Sequence, residues 1–127
     1  MTFKTLMIIK AIVCLFFGPL LLFVPGPLLT LLGSTWGAGA AAFTAREYGA
    51  SLIGNLMLTW FARNADDSFV RRAIALDLCV YDAIAFVVTL VTVLQGGLNW
   101  LGWGIVAIYL FFAIGFGFFI LPQKKAA

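Results

Sequence analysis

Lys10, Arg46, Glu47, Asp77 and Asp82 are ionisable residues embedded in long apolar runs, and Asn55 is a polar one. At the centre of a membrane helix such a charge costs about 2.5–3.5 kcal/mol on insertion scales. Each must therefore be paired, wet or near an interface. Asp82 lies near the middle of its run and is the residue to single out. It is either a proton-exchanging carboxyl or a hydrogen-bonded group that fixes helix register. Its candidate partners are Asn55, Tyr81, Tyr109, a water, or a long arm from Arg46. Lys10, about one and a half turns inside its run, either snorkels to the interface or pairs with Asp77, each lying about 10 Å inside the boundary. Arg46 and Glu47 are neighbours that point about 100° apart on a helix. They reach the outer interface, make structural pairs, or contribute one side chain to a ligand site. Arg46, Glu47, Asn55 and Asp82 are thus the ligand-binding candidates, and Lys10 with Asp77 the candidate intramembrane pair.

The catalytic inventory is otherwise thin. There is no histidine, which removes the commonest general base and metal ligand. No zinc motif, nucleophile elbow or phosphate-cradling loop occurs. Cys14 and Cys79 lack C-x-x-C spacing and read as reduced, packed thiols, although their depths leave a disulfide open. Neither an enzyme nor a bound cofactor is expected.

The elements that must hold these residues are apolar. Of 127 residues, 64% are hydrophobic and only 10% charged, against about 45–50% and 25% in soluble domains, so the expected solvent is lipid. Eight basic residues spread along such a chain argue against nucleic acid. Four runs have spanning length: about 5–24, 40–63, 69–94 and 98–121. Pro19 lies inside the first, and Lys10 with Pro25-Gly26-Pro27 argues for a retained helix rather than a signal peptide. Pro25-Gly26-Pro27 ends that helix. Residues 28–36 are too short to span and suggest an interfacial or re-entrant piece, with Trp36 at headgroup depth. Asp66-Asp67-Ser68 is a cap signal for the third helix, and Gln95-Gly96-Gly97 marks a turn.

The expected fold is a single-domain (1–127), all-α, four-helix transmembrane bundle. Lys4, Arg63, Arg71, Arg72, Lys124 and Lys125 fall on one side of it, so the positive-inside rule puts both termini in the cytoplasm. In the second helix, Glu47, Ser51, Asn55 and Thr59 recur every four residues beside the small Gly49, Ala50 and Gly54. In the third, Asp82, Ala85, Thr89 and Thr92 form another weakly polar face. The fourth carries Ala113 and Gly117 at small-xxx-small spacing, many aromatic residues, and Trp100 and Trp103 at its start.

The break at Pro25-Gly26-Pro27 and the Arg46-Glu47-Tyr48-Gly49-Ala50 opening give a layout that resembles small four-helix bacterial membrane proteins of the DoxX-like kind. The resemblance implies a bacterial inner-membrane protein, with some relatives associated with membrane redox complexes; no site residue carries over from it. Two functions are then expected. The first is a non-catalytic accessory or assembly subunit of a larger respiratory or photosynthetic membrane complex. The second is a binder of a small ligand, lipid or quinone, or a proton-linked carrier, acting as a homo-oligomer. The expected partners are the lipid bilayer and either another membrane protein or further copies of the chain.

Overall fold

The computed structural model describes residues 1–35 and 39–122. Trp36, Lys124 and Lys125 lie outside the described residues. The elements are α1 (Phe3–Phe23), α2 (Pro25–Leu31), α3 (Ala40–Phe61), α4 (Phe69–Leu94) and α5 (Gly102–Phe118), and no strand occurs among the described residues. Two of them, α1 and α4, are long and apolar enough to cross a membrane, and α5 is a shorter apolar helix.

The helix ends follow from local chemistry. Thr2 caps α1 by accepting from the Thr5 amide, and Ser68 caps α4 by accepting from the Arg71 amide, each satisfying a donor of the first turn. Pro25 disfavours helical geometry at Val24, whose φ of −135° and ψ of 57° end α1. The Pro25-Gly26-Pro27 run is more than a break: it forms the first turn of α2, where a missing N–H costs nothing. Two glycines close helices in the left-handed region. Gly33 (φ 80°) follows α2 and Gly96 (φ 78°) follows α4. Each is flanked by the paired amide-to-carbonyl bonds of a Schellman motif: Ser34 to Leu29 with Gly33 to Thr30, and Gly97 to Thr92 with Gly96 to Val93.

The start of α5 departs from the expected residue 98. Asn99 is occupied by tertiary bonds: its amide donates to Leu32 O at 2.8 Å, and Nδ2 donates to Leu31 O at 2.8 Å. Its Oδ1 accepts from the Leu101 amide. Asn99 thus fastens the end of α2 to the α4–α5 turn, and regular helix begins only at Gly102.

Packing divides the molecule into two helix pairs. α1 runs along α3 and α4 along α5; α1 also touches α5, while α2 lies against α1 and α3. α3 and α4 make no close backbone approach to each other. The α1–α3 crossing is a glycine contact: a Cβ on Gly49 would stand 2.5 Å from Leu22 N and 2.8 Å from Gly18 O. Gly54 faces open space instead. In the other pair, the Cys79 thiol donates to Ala113 O at 3.3 Å, beside Gly117.

The buried apolar residues form two layers. One joins Phe3, Leu6 and Met7 to Ala75, Leu78, Phe112 and Phe116. The other gathers Cys14, Leu21, Leu28 and Leu52. Beyond the first layer, the Arg71 guanidinium stands 4.8 Å over the Phe3 ring and 5.7 Å over the Phe119 ring. The start of α1, the beginning of α4 and the end of α5 therefore share one end of the molecule.

Candidate functional site

Between the two apolar layers lies a polar one, contributed by four helices. Phe3, Leu6, Met7, Lys10, Cys14, Gly18 and Leu21 occupy the buried stripe of α1 at three- and four-residue spacing. Lys10 is thereby carried inward with the core residues. Ala75, Leu78 and Asp82 do the same on α4. Lys10 Nζ donates to Asp82 Oδ1 at 2.5 Å, and the residues are 2% and 0% exposed. The ammonium also stands 4.6 Å from the Phe112 ring centroid and 5.1 Å from that of Tyr81, a cation–π arrangement favoured by desolvation. Asp82 Oδ2 is buried without a hydrogen-bond partner.

The observed pair corrects the expected one. Lys10 pairs with Asp82 and not with Asp77, which is exposed. The reason is angular. Five residues separate the two aspartates, so they point about 140° apart on the helix, and it is Asp82 that shares the core stripe with Ala75 and Leu78.

Beside the ion pair, three hydroxyls meet. Tyr81 on α4 donates to Tyr48 on α3 at 2.9 Å, and Tyr48 is hydrogen-bonded to Tyr109 on α5. These are all the tyrosines of the chain, against thirteen phenylalanines. Tyr48 was not a candidate in its own right. The available signal was that three scarce tyrosines each lie well inside a helix, where a hydroxyl taken from water needs a partner.

Lys10 and the three tyrosines close one end of a cavity of about 800 Å³. The remaining walls are almost wholly apolar, from Cys14, Leu21 and Leu28 on one side to Ala85 and Ile105 on the other. All five helices contribute. The open angle between α3 and α4 accounts for the space: side chains from both line it, while their backbones stay apart.

The other candidates lie elsewhere. Arg46 and Glu47 are exposed, and neither they nor the half-buried Asn55 line the cavity. The two hydroxyls of the polar stripe on α3 are satisfied by backbone carbonyls of their own helix: Ser51 donates to Glu47 O and Thr59 to Asn55 O. The structure therefore brings Asp82 together with Lys10 and the tyrosines, and not with Arg46, Glu47 or Asn55. Both cysteines are free thiols. No cluster of metal-ligating side chains occurs among the described residues.

The arrangement can hold an apolar body in the cavity and meet one polar group at its closed end, the division of labour usual in ligand pockets of about 300–1,000 Å³. No family model, curated protein or solved structure matches this chain.

Proposed function

We propose that the protein is a multi-pass protein of the bacterial inner membrane that binds a small amphiphile within the bilayer. In this reading α1, α3, α4 and α5 cross the membrane, α2 rests near the outer surface, and both termini are cytoplasmic. The observation that carries the binding role is the cavity of about 800 Å³ whose charged end is built from Lys10 with Tyr48, Tyr81 and Tyr109. Quinones and lipids have the matching form, an apolar tail with a compact polar group. The gap between α3 and α4 gives such a ligand a lateral route from the hydrocarbon phase.

The test is gentle extraction from native membranes, followed by native mass spectrometry and solvent extraction of whatever is retained. A stoichiometric amphiphile is expected, and Ala85→Phe, which fills the cavity from α4, should lose it while remaining helical. Retention undiminished in Ala85→Phe, or nothing retained by the natural sequence, would sink the binding role. A mass shared with other membrane proteins would support the accessory-subunit role that size and composition suggest.

A further inference from the structure

We infer that the ligand's polar group is a neutral hydrogen-bond acceptor, of the ketone, ester or quinone-carbonyl type, rather than an amine, a cation or a carboxylate. This rests on the cavity being a ligand site.

The argument is a count of protons. Three tyrosine hydroxyls carry three protons, and the two bonds among them use two. One O–H is left over whichever way the Tyr48–Tyr109 bond runs. Lys10 carries three N–H donors, of which Asp82 Oδ1 takes one; its other close neighbours are aromatic rings. The groups that line the closed end are thus rich in donors. Asp82 Oδ2, the buried strong acceptor without a partner, belongs to a residue that does not line the cavity. The lining acceptor left open, the Tyr81 oxygen, is a phenolic one weakened by delocalisation into its ring. Of the remaining polar walls, Thr44 spends its proton on Ala40 O, and Thr89 offers both a donor and an acceptor. An unmade hydrogen bond in an apolar setting is costly, and a carbonyl oxygen meets that need directly.

Charge narrows the class further. The charge a ligand meets is the Lys10 ammonium, because Lys10 lines the cavity and Asp82 stands behind it. A cationic head is repelled. An anionic head would add a third buried charge to a pair that already balances, leaving one negative charge without compensation.

The experiment uses the full chain in lipid nanodiscs with dodecan-2-one labelled with ¹³C at its carbonyl. The infrared carbonyl band of bound ketone should lie below that of ketone dissolved in the bilayer. Dodecane, dodecylammonium and dodecanoate should each displace it only at concentrations about fivefold or more higher than unlabelled ketone, the ratio of one net hydrogen bond. In Tyr48→Phe/Tyr81→Phe/Tyr109→Phe, which removes all partners together and leaves no hydroxyl unsatisfied, the band should return towards its bilayer position. Equal or better displacement by dodecylammonium or dodecanoate would overturn the inference, as would an unshifted band in the natural sequence. If dodecane competes as well as ketone, the cavity stands as a ligand site and the acceptor preference falls. If no probe is bound at all, the binding role falls with it.

Discussion

At the scale of single residues, the Lys10–Asp82 pair is buried, and its energetics are asymmetric. Desolvation offsets much of the attraction of an intact buried pair, whereas losing one member leaves a bare charge at a cost of about 3–5 kcal/mol. Lys10→Met should therefore lower stability by that order, measured by thermal unfolding in detergent. Lys10→Met/Asp82→Leu should recover most of the loss. A double variant as unstable as the single one would mean that the pair does more than neutralise its members. The sequence made part of this site legible. Asp82 stands out because it is deep in its helix, and Lys10 because it interrupts an apolar run. Their pairing was not legible from depth alone, since depth matched Lys10 to Asp77 as well. Only the stripe shared by Ala75, Leu78 and Asp82 decides which aspartate faces inward. The meeting of Tyr48, Tyr81 and Tyr109 was further from reach, because it depends on where three separate helices stand.

Elements were legible where their signals are local. Ser68 before Phe69 and glycine after Gln95 mark the two ends of α4 by chemistry within a few residues. The start of α5 was not legible, because Asn99 is held by carbonyls of Leu31 and Leu32, about seventy residues away in the chain. Glycines show the same divide. Gly49 and Gly54 look alike in sequence, yet a Cβ on Gly49 would strike the backbone of α1 and one on Gly54 would meet nothing within 4 Å. Gly49→Ala should force α1 from α3 and cost about 1–3 kcal/mol, as overpacking does. Gly54→Ala should be neutral or stabilising by up to about 1 kcal/mol through helix propensity. Unfolding of the two variants side by side checks this; equal effects would mean that the Gly18–Gly49 approach does not set the crossing.

Most of the basic residues of the whole molecule gather at one end, with Arg46 near the start of α3 an exception. Lys4, Arg63, Arg71 and Arg72 belong to the end where α1 begins, α3 gives way to α4 and α5 finishes, and Arg71 closes it by resting on the Phe3 and Phe119 rings. At the opposite end, where Asn99 ties α2 to the α4–α5 turn, residues 24–35 and 95–101 contain no lysine or arginine. Basic loops resist translocation, so the proposed orientation keeps the first end in the cytoplasm and sends Gln95 outside. Both Asp66 and Gln95 are exposed, which makes them suitable single-cysteine probes in a chain whose Cys14 and Cys79 are replaced by alanine. A membrane-impermeant maleimide applied to intact cells should label Gln95→Cys at once and Asp66→Cys only after the membrane is broken. The reverse pattern would invert the orientation. Labelling of both from outside would mean that α4 does not cross, and the cavity between α3 and α4 would then no longer open into lipid.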